Sequence, residues 1–364
     1  MKSLEFINIQ QCCRLLKVSR PTFNKRRKEI HLTELVRGRS TYFKKIEILN
    51  KLYAPAFDVQ ATVDFVLINP NFDIKHILVD EFAIDLRKIH LLDPYGIISI
   101  LCYVTSKVKI GQNFFFVCTN NLISSQLIAV GFFKELARKY PNLTHWDHGL
   151  INKLEPSAKT LEQVFLPLKE ITIKGQDRAV LNELLSSLLQ KGFTETQAGY
   201  IGWLLGELAD NSLTHAKGPC YIMFTRYANN GGVPFLEFAV GDVGVGIHKS
   251  LQTNQKYSLL NDRQAFLKAF QSQVSSWPDS AQRGKGLCDL LTIALGNGGW
   301  VKADANELGL FFNFTENQRL VEFNKPLTEI SGTRLSVILF EKAFNGSTRE
   351  EIDSFISKEI EKYE

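Results

Sequence analysis

Three polar side chains at four-residue spacing, Glu207, Asn211 and His215, are the first residues in this sequence that could do chemistry. They lie in Gly202–Ala216, a run otherwise built from Trp203, Leu204, Leu205, Leu208, Ala209 and Leu213 and long enough for a helix. Residues four apart share one helix face. A polar line on an apolar helix must meet something other than core, because an unpartnered buried Glu or Asn costs about 1–3 kcal/mol. A magnesium ion and a triphosphate would satisfy both. Further on, Phe235–Gly241 alternates as a half-buried strand and ends in Asp242-Val243-Gly244-Val245-Gly246-Ile247. A carboxylate at a strand end can accept a hydrogen bond from an adenine amino group, and the two glycines let the backbone pass close to base and ribose. Arg283-Gly284-Lys285-Gly286-Leu287 then precedes an apolar helix. Glycines at a helix N-terminus beside basic side chains suit phosphate oxygens. Last, Ser331-Gly332-Thr333-Arg334 precedes the strand Leu335–Phe340 and puts a hydroxyl at a sheet edge.

Taken in order, "ELADNSLTHA", "DVGVGI", "RGKGL" and "GTRL" resemble the N, G1, G2 and final boxes of the GHKL ATPases, the family of sensor histidine kinases, DNA gyrase and anti-sigma-factor kinases. The resemblance covers residues from about 176 to 340 and implies a Bergerat-type α/β sandwich that binds ATP and Mg²⁺. It implies that Asn211 ligates the metal and that Glu207 is the base orienting an attacking water or hydroxyl. Asp242 would bind adenine N6 with support from Thr333, while Gly244, Gly246, Gly284 and Gly286 would shape the pocket and its lid. Arg283, Lys285 and His215 are the further phosphate-side candidates. None of the seven histidines sits in an "HExxP" acceptor helix, so autophosphorylation of the two-component kind is not expected.

The N-terminus carries a different signal. Residues 1–53 hold thirteen Lys and Arg against four Asp and Glu, a balance of +9 in a chain whose net charge is +5. Such asymmetry points to a polyanion, usually nucleic acid. Ile9–Leu16 has helical spacing, Lys17-Val18 interrupts it, Ser19 can cap a second helix, and Pro21 falls in that helix's first turn. The second helix would expose Arg20, Asn24, Lys25, Arg27 and Lys28, types that neutralise phosphates and read base edges. Val36–Phe43 reads as a hairpin with Arg37 and Arg39 at its tip, and a third helix follows over Lys44–Tyr53. The order resembles the excisionase/MerR-type winged helix-turn-helix and implies binding of double-stranded DNA; a small basic bundle with a solvated charged face is the alternative.

A linker is expected near 54–60, followed by alternating strands (Ile77–Val79, Phe82–Leu86, Phe114–Cys118) and helices (Pro94–Lys107, Ser124–Tyr140). Ile84–Gly96 resembles the strand–loop–helix of a STAS domain and implies an interaction surface for a protein partner. Asp93 and Gly96 keep that loop's pattern, but Pro94 and Tyr95 replace its phosphorylatable Ser or Thr; an unrelated small α/β domain is the other reading. Ser347–Glu350 reads as a capping box opening a last helix.

The expected fold class is therefore multidomain α/β (α+β): a winged helix over 1–55, a STAS-like α/β domain over 56–145, an ATP-binding domain over 150–345 and a helix over 346–364. The six cysteines form no CxxC pair or zinc spacing and read as buried thiols. The longest apolar run, Gly96–Val104, is far short of the roughly 18 residues a membrane span needs. The expected protein is a cytoplasmic, DNA-binding regulator governed by nucleotide state, compatible with an oligomer. The alternative is a serine/threonine kinase of the anti-sigma-factor class acting on a STAS-type partner.

Overall fold

The computed structural model describes residues 5–28, 30–52, 63–64, 74–108, 111–119, 122–173, 175–216, 218–228, 234–276, 286–314, 320–324, 326, 328–340 and 349–363. The fold is mixed α/β, and the chain divides into two compact units, residues 1–92 with 104–160, and residues 93–103 with 161–364. Among the described residues no helix is long and apolar enough to cross a membrane. The six cysteines are free thiols, and all but Cys13 are buried.

The first unit opens with strand β1 (Phe6–Asn8), helices α1 (Ile9–Leu16) and α2 (Arg20–Lys28), strands β2 (Glu34–Arg37) and β3 (Ser40–Lys44), and helix α3 (Lys45–Lys51). Asn8 and Gln11 form a capping box on α1, which ends at Lys17 in the left-handed region. The Ser19 hydroxyl accepts from Thr22 N at 3.3 Å, the cap that the sequence predicts for α2. Phe23 and Phe43 meet edge-on at 5.4 Å in a core with Ile7, Cys12 and Ile48. The strands pair in the order β1-β3-β2, and Gly38, at φ +59, makes the tight turn between β2 and β3.

Next come β4 (Val63–Asp64), β5 (Leu78–Asp80), β6 (Ala83–Asp85), β7 (Ile89–Leu91), α4 (Pro94–Val108), β8 (Phe114–Val117), α5 (Leu122–Ala129), α6 (Phe132–Lys139), β9 (Thr144–His145), α7 (His148–Ile151) and α8 (Ala158–Gln163). Strands β6, β8 and β9 run parallel, with β5 antiparallel at the edge. The single helix expected over Ser124–Tyr140 is two, because Gly131 at φ +80 breaks it. α3 belongs to both halves of this unit: Ile46 and Leu49 share a core with Ala83, Phe115 and Val117, and Lys45 Nζ bonds Asp80 at 2.7 Å. The expected linker at 54–60 lies outside the described residues.

The second unit is built on a seven-stranded antiparallel sheet. Its elements are β10 (Val164–Ile171), α9 (Gln176–Gln190), α10 (Glu195–Asn211), β11 (Cys220–Ala228), β12 (Pro234–Asp242), α11 (Ile247–Gln252), α12 (Asp262–Lys268), α13 (Gly286–Asn297), β13 (Trp300–Asn306), β14 (Leu308–Asn313), β15 (Leu320–Asn324), β16 (Ile330–Phe340) and α14 (Arg349–Glu361). The strand order is β10-β11-β12-β16-β13-β14-β15. Side chains alternate across a strand. Leu236, Phe238 and Val240 of β12, and Leu335, Val337 and Leu339 of β16, therefore join one core with the apolar faces of α9, α10 and α13. α14 closes the end of that core through Ile352 and Ile356; Ser347 of its expected capping box lies outside the described residues.

The opposite face of this sheet departs from the expectation of a half-buried strand. Glu237, Ser336, Lys302, Asp304 and Arg334 point away from the helical core, yet all are buried. The N-terminal part of α4 lies on them: Tyr95 N donates to Glu237 Oε1 at 3.2 Å, and the Tyr95 hydroxyl donates to Asp304. The contact spans more than a hundred residues of sequence and has no local signature.

Candidate nucleotide site

The helix that carries Glu207 and Asn211 is fixed at both ends. Thr194 and Gln197 form a capping box at its start, worth about 1 kcal/mol. At its far end Ser212–Ala216 continues as a wider π turn. Gly202 and Gly206 let α9 approach: a methyl group at either would sit 3.1–3.2 Å from Leu185 or Leu181. Ala198, Ile201, Leu204, Leu205 and Leu208 face the core, leaving Trp203, Glu207 and Asn211 in line on the outer side.

That line forms one wall of a cavity of about 350 Å³, within the size range of small-molecule sites. Glu207, Asn211, Asp242, Gly246, Gly286 and Thr333 all line it, although they come from four separate stretches of sequence. Ile247, Leu251, Ala269 and Leu335 supply an apolar side. Asp242 ends β12 and is buried; its Oδ1 accepts from Gly244 N at 2.9 Å and Thr333 N at 3.2 Å. Thr333 thus supports Asp242 through its backbone N–H. Burial pushes the Asp242 carboxyl up to about 6, against the pull of those two N–H groups and of Arg334. A carboxyl so placed titrates near neutrality, as at many functional sites.

Glycine is demanded by contact at three points around the cavity. Gly332, at φ +97, would place a Cβ 2.2 Å from Asp242 O. Gly246, at φ +85, would place one 2.7 Å from Asn306 Nδ2. Gly286, the first residue of α13, would place one 2.9 Å from Glu207 Cβ and Oε2. Its glycine therefore brings the N-terminus of α13 against the carboxylate. Burial pushes the Glu207 carboxyl up, and Asp210 and Asp289 add to the effect by repulsion.

Gly244 holds Asp242 by its N–H rather than lining the cavity. His215 lies in the π turn after α10. Arg283, Gly284 and Lys285 lie outside the described residues. Two residues escaped the sequence reading. Trp203 lines the cavity one turn before Glu207 while 41% exposed; its spacing of four from Glu207 was the available signal. Asn306 ties two loops of the site, donating to Val245 O at 2.9 Å and accepting from Gly332 N at 3.0 Å; nothing near it in sequence marks that role.

Among the described residues no group of three His, Cys, Asp or Glu side chains could hold a metal ion by itself. Asn211 lines the cavity as a neutral amide beside Glu207 and Asp210. The polar groups that line it would suit a cation whose remaining ligands come from a bound anion and water, and among the described residues they do not form a closed metal cage.

At the N-terminus, Arg20 and Lys25 are exposed on α2, and Arg37 and Arg39 are exposed at the β2–β3 turn. Asn24 is half-buried. Arg27 is engaged internally, bonded to Glu34 at 3.0 Å and stacked over Phe43 at 5.4 Å. No protein-family model matches the chain, and no curated protein matches it.

Proposed function

We propose that residues from about 176 to 340 form a GHKL-type ATP-binding domain of Bergerat architecture, and that its nucleotide state governs DNA binding by a winged helix-turn-helix within residues 1–53. The protein on this reading is a cytoplasmic regulator, with the STAS-like segment as a surface for a protein partner. The observation that carries the reading is the convergence of Glu207, Asn211, Asp242 and Gly286 on one cavity. Asn211 would ligate Mg²⁺, which supplies charge neutralisation of the phosphates when bound. Asp242 would accept from the adenine amino group, and the apolar side formed by Ile247 and Leu251 suits a purine face. The phosphate side would be completed by α13, whose N-terminal N–H groups favour anions.

A calorimetric titration with Mg-ATP tests this. Binding to the unmodified chain is expected, with a loss of roughly 10–100-fold in Asp242→Ala, the worth of one charge-assisted hydrogen bond. Equal affinity in both proteins, or none in either, rejects the assignment.

Glu207 favours a second reading, an anti-sigma-factor-type serine/threonine kinase. Its carboxyl lies one helical turn from Asn211 and is held above the usual carboxylate range, as suits a general base. On this reading Glu207→Gln keeps nucleotide affinity while lowering turnover by about 10²–10⁴-fold. Labelled ATP separates the outcomes: a stable phosphoprotein supports the kinase, and free phosphate alone supports an ATPase switch.

A further inference from the structure

The division of the chain into two units falls inside α4, with residues 93–103 in the sheet-bearing unit and Val104 onward in the other. The first part of α4 lies behind the cavity, on the back of the strands whose front carries Asp242 and Thr333. Asp93 starts the helix by accepting from Gly96 N at 2.7 Å. Glu237 Oε1 takes two donors, Tyr95 N at 3.2 Å and the Ser336 hydroxyl at 2.7 Å. Lys302 Nζ sits 4.4 Å above the Tyr95 ring, whose hydroxyl reaches Asp304. Arg334 lies 3.8 Å from the same carboxylate and donates to Ile330 O at 2.9 Å.

Two of these back-face residues are chain neighbours of the front-face pair. Gly241 precedes Asp242, Arg334 follows Thr333, and Gly241 and Arg334 are direct partners across β12 and β16. Gly241 leaves room for α4: a Cβ there would stand 2.3 Å from Ile98 Cγ2 and 3.1 Å from Cys102 Sγ. The strand ends that set the 3.2 Å contact between Thr333 N and Asp242 are thus clamped from behind by α4.

We infer that docking of α4 on the back of β12 and β16 and nucleotide binding at Asp242 on their front are one coupled equilibrium, with Tyr95, Ile98 and Gly241 as positioning residues. The inference rests on the nucleotide reading of the cavity. Any ligand that tightens the Asp242–Thr333 geometry favours docked α4, and by linkage docked α4 favours the ligand equally. The docked state also carries its own counterweight. Glu237 Oε2, Asp304 Oδ1 and Arg334 Nε are buried there without a hydrogen-bond partner among the described residues. Release of the helix would return them to water, and a device with opposing costs of this kind is reversible.

Hydrogen exchange of residues 94–103 in the full chain, with and without saturating Mg-ADP, tests the coupling alongside Mg-ADP titrations. In the unmodified protein Mg-ADP is expected to slow exchange across this segment about tenfold, while α2 serves as the internal reference. Gly241→Ala is expected to weaken Mg-ADP binding about tenfold and to speed exchange of α4. Adding Ile98→Ala, which removes the clashing methyl, should restore both. Should Gly241→Ala fail to fold, Tyr95→Phe carries the test, since it keeps the ring and removes only the hydroxyl that reaches Asp304; it should weaken Mg-ADP binding severalfold. Mg-ADP binding with α4 exchange unchanged overturns the coupling and leaves the nucleotide site standing. A double variant as weak as Gly241→Ala overturns the positioning role, and so does full affinity in Tyr95→Phe. Absence of Mg-ADP binding in the unmodified chain removes the nucleotide site, and the coupling falls with it.

Discussion

At the scale of one residue, the proposed nucleotide reading turns most directly on Asp242. It is 3% exposed, with two backbone N–H groups aimed at one oxygen, and its carboxyl is raised to about 6 because burial outweighs both. A carboxylate that accepts from an adenine amino group must be ionised to do so at full strength. On the proposed nucleotide reading, the proton it holds below about 6 therefore competes with the base. Nucleotide affinity should be flat above that pH and fall about tenfold for each unit below it, the linkage expected of a single competing proton. Calorimetry with Mg-ADP between pH 5 and 8, on the unmodified chain and on Asp242→Asn, isolates this residue from the titration of the phosphates. The two profiles should differ by one proton in slope below pH 6. Superimposable profiles would remove Asp242 from the base-binding role.

At the scale of elements, what could be read from the sequence was what local spacing records. The stripe at Glu207 and Asn211, the strand ending in Asp242 and the Ser19 cap of α2 are each visible within a few residues, and each is where it was expected. The approach of Gly286 to Glu207, and the bridge that Asn306 makes, depend on segments that meet only through the sheet. The cover over Glu237 was least legible. An alternating strand with a Glu on the face away from the core normally sets that Glu in water, whereas here Glu237 is fully buried under α4. Burial raises the carboxyls of Glu237 and Asp93, repulsion from Asp93 adds to the rise of Glu237, and Lys302 opposes both. Asp93 moves from its ordinary 3.8 to about 6. A carboxyl raised on folding stabilises the fold fully below its unfolded value, and that contribution is lost as pH rises through the folded value. The second unit should therefore lose stability between about pH 4 and 7. Glu237→Gln keeps an acceptor for Tyr95 N and Ser336 without needing a proton, so its urea midpoint should change less over that interval and exceed the parent's at pH 7.5. Parallel midpoint curves for the two proteins would refute a proton-dependent back face.

For the whole molecule the question is whether its two ends act together. The excess positive charge lies within residues 1–53, and Arg37 and Arg39 are exposed on either side of the Gly38 turn, whereas Arg27 is held by Glu34 and Phe43. Each arginine that neutralises a phosphate releases a counterion. Arg37→Ala with Arg39→Ala should then weaken DNA binding and lower the slope of log affinity against log salt by about 2. Arg27→Ala should instead destabilise the first unit, since it removes both the bond to Glu34 and the stack on Phe43. The regulatory reading adds a stricter requirement. Nucleotide can shift DNA affinity only by the difference in its own affinity for the DNA-competent and incompetent states. Mg-ATP should therefore change the midpoint of a DNA titration in the parent and leave it unchanged in Asn211→Ala and Asp242→Ala, with the salt slope the same in all three. A salt slope that moved with nucleotide would mean that ATP alters which cations touch the DNA. An identical midpoint with and without Mg-ATP would separate the two ends into independent binding functions on one chain.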